Sequence, residues 1–186
     1  MDIQNFLQHF VNALSLGSLY ALIAIGYTMV YGILRLINFA HGDIFMIGGY
    51  LAFYAATTFM MPWWAAAAVS VGLTMLFGMG LERVAYRPLR DSPRISVMIS
   101  AIGASFLIEN LATVVFDARP KAFPVPEFFA KQFVIGGVHV AAVSAIIPLV
   151  TMLILSILLW VVYRTKTGMA MRAVSTDVEA ARLMTI

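Results

Sequence analysis

The chain has 186 residues, of which 62% are apolar or aromatic and only 11% are charged. A soluble domain carries roughly 45–50% and about 25%, and the mean hydropathy of +0.92 lies on the same side. This composition excludes a disordered chain, a nucleic-acid-binding tail and an ordinary soluble domain, and leaves a polytopic membrane protein of all-α class. There is no cysteine, which removes disulfides, Cys-based zinc sites and thiol nucleophiles from consideration.

A bilayer-spanning helix needs about 20 mostly apolar residues. Five stretches qualify, at roughly 10–34, 44–61, 63–82, 95–116 and 140–163. The N-terminus lacks the basic region of a signal peptide, and its first span is long and followed by others. Met61-Pro62 is all that separates the second and third spans, so they read as a tight helical hairpin. Trp63 and Trp64 then suit a water–lipid interface.

Basic residues gather after the third span (Arg83, Arg87, Arg90, Arg94) and after the fifth (Arg164, Lys166, Arg172, Arg182). An even number of spans separates the two groups, so both can face the cytoplasm. The N-terminus and the loop 117–139 then lie outside, although Arg119, Lys121 and Lys131 reduce the contrast.

Between the first two spans, Arg35-Leu-Ile-Asn38-Phe-Ala-His41-Gly42-Asp43 is polar punctuation. It reads as a short turn with Asp43 capping the next helix, or as a broken helix lining a path at membrane depth. Small residues recur at helical spacing (Gly17 with Ala21, Ser100 with Ala104, Ala101 with Ser105), which suits general helix packing in lipid. The fourth span carries Glu109 and Asn110. A charge inside a span is costly, so Glu109 either serves a path or pairs with another helix. Counting about 1.5 Å per residue from Ile95 places it in the outer half of the bilayer.

In the outer loop, Phe133-Val-Ile-Gly136-Gly137-Val-His139-Val predicts a small extracytoplasmic β-hairpin around a two-residue turn. Pro148 interrupts the fifth span, where it should kink the helix, and Trp160 with Tyr163 suits an interfacial anchor. Beyond it, Gly168-Met-Ala-Met-Arg172-Ala-Val predicts a short helix. Thr176-Asp-Val-Glu179 fits a capping box before a second one. Two short amphipathic helices suit docking into a partner's groove, or lying on the membrane surface.

No phosphate-binding G-x-x-x-x-G-K-[ST] occurs. The histidines His9, His41 and His139 are dispersed and no HExxH is present, so no metal site is expected. Gly103-Ala-Ser105-Phe106 only partly matches the GxSG of intramembrane serine proteases. No histidine stands in any span to serve it. The expectation is a non-enzyme without cofactors.

The run Leu16-Gly17-Ser-Leu-Tyr20-Ala-Leu-Ile-Ala-Ile-Gly26-Tyr-Thr-Met-Val-Tyr-Gly32, continuing into Ile37-Asn38-Phe-Ala-His41-Gly42-Asp43-Ile-Phe-Met-Ile-Gly48, closely resembles the inner-membrane permease of bacterial branched-chain amino acid ABC importers. Arg83-Val-Ala-Tyr86-Arg87-Pro88-Leu89-Arg90 and 168–174 fit the same family, and the resemblance runs over nearly the whole chain.

It implies a multi-pass permease domain over 1–186. Its partners would be ABC ATPase subunits, a homologous second permease and a periplasmic substrate-binding protein. It also implies a cytoplasmic coupling segment over 164–186, where Glu179-Ala180-Ala181 matches the EAA loop. The expected coupling residues are Gly168, Arg172, Asp177, Glu179, Ala180 and Ala181. The expected translocation path includes Asn38, His41, Glu109 and Asn110. Thr185 stands where the family pattern has Gly. Such permeases continue for about three more spans, so the chain is expected to be an N-terminal part carrying about five of about eight. Two alternatives stay open: a permease of the same family for urea or short amides, and an intramembrane hydrolase or non-transporting scaffold.

Overall fold

The structure, a computed structural model, describes residues 3–34, 37–89 and 92–176. The apolar runs form helices α1 (Ile3–Leu34), α2 (His41–Thr57), α3 (Trp63–Leu81), α4 (Arg94–Phe116), α5 (Glu127–Ala130), α6 (Ala142–Arg164) and α7 (Lys166–Thr176). Strands β1 (Gln132–Ile135) and β2 (Val138–Ala141) lie between α5 and α6. The protein is a multi-pass, all-helical membrane protein with one small sheet.

Among the described residues, four helical segments are long and apolar enough to cross a membrane: 3–32, 63–89, 94–116 and 142–164. The expected second span is the 17-residue α2, at the lower end of the roughly 17–25 residues a spanning helix uses. It stops at Thr57, short of the expected 61, because Met60 takes a left-handed φ of 51° and Pro62 follows. α1 starts well before residue 10. Its 32 residues reach about 48 Å, more than the hydrocarbon core of about 30 Å.

Prolines set three of the helix starts. Pro62, Pro93 and Pro126 immediately precede α3, α4 and α5, each with φ near the value its ring imposes and an extended ψ. A proline has no N–H to donate and disfavours a helical residue before it, so the helix cannot run backwards through it.

The chain divides into two compact units, 1–35 with 125–186 and 36–124. In the first, α1 packs along α6, where the buried Thr151 hydroxyl donates to Ile147 O at 2.8 Å and reaches Ser18 O at 3.4 Å. The hairpin β1–β2 pairs Gln132 with Ala141 through Ile135 with Val138. Its turn is Gly136-Gly137, with φ of 60° and 84°, as the Gly-Gly pattern predicts. The Gln8 amide covers the outer edge of β2. It donates to His139 O at 2.8 Å and accepts from His139 N at 2.8 Å.

In the second unit α2 and α3 form the expected hairpin, and α4 packs beside them. Contacts are made by small residues: Ala55, Ala66, Ser70, Ala101, Ala104 and Ala112 are buried. The Ser70 hydroxyl donates to Gly48 O at 2.7 Å. A Cβ on Gly48 would lie 3.1 Å from Thr74 Oγ1, so the absence of a side chain there sets the α2–α3 approach. Large apolar side chains point outward; Leu107, Val114 and Leu149 are each more than 60% exposed. This inside-out distribution suits a solvent as apolar as the side chains themselves. Of the small residues singled out by spacing, Ala101 and Ala104 are at contacts. A Cβ on Gly17 would meet nothing within 4 Å.

Candidate functional site

Residues 39 and 40, just before α2, form a turn, and His41 N donates to Asn38 O at 3.2 Å. Asn38 Oδ1 accepts from Ala40 N at 3.1 Å, closing an Asx turn. It also accepts from the Tyr86 hydroxyl at 2.7 Å.

Asp43 is not the helix cap. The cap position is Ala40, which has no side chain to offer, and Asp43 lies one turn inside α2. There its carboxylate accepts from the Ser105 hydroxyl of α4 at 2.5 Å. A carboxylate in the first turn still faces the positive end of the helix dipole. Charge and bond together explain why an acid is tolerated here.

Tyr86 is positioned by an irregularity at the end of α3. Residues 82–86 form a π-helical turn and 87–89 a 3-10 turn. Such a turn frees a carbonyl from the regular ladder, and Ala85 O is taken by the Ser100 hydroxyl of α4 at 2.9 Å. Within this unit, one end therefore knots the 37–43 turn, the end of α3 and the start of α4 through side-chain hydroxyls.

At the end of α6 the chain bends through Thr165 into α7. Thr165 Oγ1 donates to Val161 O at 2.6 Å and accepts from Gly168 N at 3.1 Å, which makes Thr165 the N-cap of α7. Gly168 is buried, and a Cβ there would run into the carbonyl oxygens of Val161 and Val162. The Arg172 guanidinium lies 5.4 Å from the centre of the Tyr163 ring, within cation–π range. An apolar groove of about 300 Å³ opens between α1, α6 and α7, lined by Ile25, Met29, Leu158, Val162, Met171 and Arg172.

Of the expected coupling residues, Gly168 and Arg172 sit in this elbow. Asp177, Glu179, Ala180 and Ala181 lie outside the described residues, as do the remaining members of the capping box. Thr176 closes α7, its hydroxyl given to Arg172 O at 2.9 Å.

Of the expected path residues, Asn38 enters the Tyr86 network and His41 opens α2, half-buried. Glu109 and Asn110 are exposed on α4, and Asn110 donates to Phe106 O at 2.7 Å. Glu109 is 15 residues beyond Arg94, about 22 Å along the helix. It does not join the Asn38 network.

Sequence reasoning passed over Tyr86 as a partner and read Ser105 as helix packing or as part of an incomplete GxSG match. Their bonds to Asn38 and Asp43 span 48 and 62 residues, which no local pattern reveals. Three or more His, Asp or Glu side chains do not gather at any one point among the described residues.

The model of the family described as branched-chain amino acid transport system, permease component, matches residues 9–186. The chain is 42% identical to the high-affinity branched-chain amino acid transport system permease protein BraD of Pseudomonas aeruginosa, over 100% of this chain and 64% of that protein. It is 40% identical to the corresponding permease protein LivH of Escherichia coli strain K12, over 97% of this chain and 62% of that protein. It is 39% identical to LivH of Salmonella typhimurium strain LT2, with the same shares covered. The chain thus spans somewhat less than two thirds of the length of these relatives. No solved structure matches it. A match over all but the first eight residues, on a bundle of apolar helices, places this chain in the family of permease components of branched-chain amino acid transport systems.

Proposed function

We propose that this chain is a membrane permease subunit of an ATP-driven importer of branched-chain amino acids, seated in the bacterial inner membrane. Its relatives BraD and LivH are named high-affinity branched-chain amino acid transport system permease proteins. The observation that carries the coupling part of the reading is the α6–α7 elbow. An apolar helix long enough to span turns abruptly into a short helix through a capped threonine and a glycine with no room for a side chain. A force on α7 then reaches α6 with little slack, because no flexible linker lies between them.

In this reading α7 and the following Asp177, Glu179, Ala180 and Ala181 face the cytoplasm and are gripped by a separate ATPase. Loaded periplasmic binding protein docks on the opposite face, and a homologous second permease completes the pathway. ATP binding closes the ATPase pair and pushes the segment, which turns the helices and switches the open side. Hydrolysis belongs to the partner; this subunit contributes the path and the lever. Asn38, His41, Glu109 and Asn110 are the proposed path or gate residues.

The test is leucine uptake by the assembled transporter carrying Glu179→Lys or Gly168→Leu, with ATPase co-purification measured alongside. Both substitutions are expected to abolish most uptake, and Glu179→Lys to reduce the ATPase recovered as well. Normal uptake and normal recovery in both would refute the coupling role.

A further inference from the structure

At the end of the 36–124 unit away from Asn38, the chain leaves α4 through Asp117. This residue holds φ at 67° and ψ at 141°, a conformation costly for any side-chain-bearing residue. The bend lays residues 118–123 back over α2. There they enclose a pocket of about 350 Å³ with Met46, Tyr50 and Phe53, within the range of small-molecule sites, roughly 300–1,000 Å³.

Its walls are largely aromatic. Tyr50 stacks on Phe116 with ring centres 4.5 Å apart, and Phe53 meets Phe123 at 6.4 Å. One cation is fixed at its rim: Lys121 Nζ lies 5.9 Å from the Phe53 ring centre and 5.7 Å from that of Tyr54. The other nearby cation, Arg119, pairs with Asp117 at 3.5 Å. The rim therefore carries one net positive charge, that of Lys121.

We infer that this pocket binds a small carboxylate bearing an apolar chain. Lys121 meets the carboxylate, and Tyr50, Phe53 and Phe123 enclose the chain. A single net positive charge matches a monoanion better than a doubly charged phosphate. Ring walls reward an apolar body and contribute nothing to a bare ion. Two rings orient the ammonium before any ligand arrives, which lowers the cost of ordering it. The inference deepens the importer reading and rests on it only for the natural ligand, a branched-chain amino acid on its way from the outer face. Among the described residues no acidic side chain lines the pocket, so the α-ammonium of that ligand stays in water at the open mouth while its carboxylate meets Lys121.

The test uses the purified chain in phosphatidylcholine nanodiscs, whose lipid brings no primary amine and no net charge. The sequence has three lysines, Lys121, Lys131 and Lys166, and their rates of modification by an amine-reactive reagent are followed by peptide mass spectrometry. Millimolar leucine or 4-methylpentanoate is expected to slow Lys121 several-fold relative to Lys131 and Lys166, while leucinamide, which lacks the carboxylate, leaves that ratio unchanged; the ratio is the readout because the ligand amines consume reagent themselves. Tyr50→Ala is expected to abolish that protection, and the thermal unfolding midpoint of the variant reports whether the fold is intact. Equal protection by leucinamide, no protection by either carboxylate, or protection only when phosphatidylglycerol is added would overturn the inference; the last would mark a lipid headgroup site. A transporter that carried no leucine would defeat the importer reading and leave the Lys121 result standing.

Discussion

Asn38 shows how one side chain can hold a turn and a tertiary contact together. Its Oδ1 accepts from Ala40 N and from the Tyr86 hydroxyl. Removing the hydroxyl in Tyr86→Phe leaves Asn38 with its local partner, so the expected loss is that of one neutral hydrogen bond, about 1 kcal/mol. Ser105→Ala removes a donor to a charged acceptor, Asp43. The partly buried carboxylate is then left under-satisfied, at about 1–3 kcal/mol. Thermal unfolding of the two variants in detergent should rank Ser105→Ala as the more destabilised; the reverse order would mean that Asp43 finds another partner. In the sequence, the polar character of 35–43 was legible, and so was the choice between turn and broken helix. That Asp43 is a cross-helix acceptor rather than a cap was not, because capping is a local signal and a Ser105 contact is not. The Lys121 pocket was equally hidden. Charge counting treated Arg119 and Lys121 alike, whereas the structure pairs one with Asp117 and sets the other over two rings.

At the scale of elements, hydropathy located the long helices but misjudged both ends of the first hundred residues' pattern. α1 extends to Ile3 although Gln4, Asn5 and Gln8 dilute its first turns, because those turns have tertiary work. Gln8 supplies the donor and acceptor that a third strand would bring to β2, and so closes an edge that would otherwise be open. The hairpin itself was readable from Gly136-Gly137, since only residues tolerant of positive φ fit both turn positions. Its partner on α1 was not readable, being 131 residues away. In Gln8→Ala the His139 amide loses its acceptor, because His139 spends its N–H and C=O on Gln8 and not across the hairpin. Loss of about 1–1.5 kcal/mol of local protection predicts amide exchange at His139 about tenfold faster. Hydrogen exchange read at single-residue resolution checks this, with the backbone bond from Ala142 N to Lys131 O as an internal control expected to change less.

For the whole molecule, the decisive question is which end of each unit faces which side. In the unit of 1–35 and 125–186, the start of α1 and the hairpin share one end, through Gln8 and His139. Arg164, Lys166 and Arg172 mark the other end, at the elbow. In the unit of 36–124, Arg83, Arg87 and Arg94 accompany the Asn38–Tyr86 network, while the α2–α3 turn and residues 117–123 lie at the opposite end. On the positive-inside rule, the Arg-rich end of each unit is expected to face the cytoplasm. The absence of cysteine turns this into a clean measurement, since any cysteine introduced is the sole thiol. Ser175→Cys and Arg87→Cys are expected to react with a membrane-impermeant maleimide only after the cells are permeabilised. Val134→Cys and Phe123→Cys are expected to react in intact spheroplasts. Arg87, Val134 and Phe123 are exposed and Ser175 is half-buried, so the reaction of each variant in permeabilised cells is the reference that separates the barrier of the membrane from that of the fold. Labelling of Ser175→Cys from outside would put α7 on the side without ATP, and the elbow could then transmit no force from a cytoplasmic ATPase.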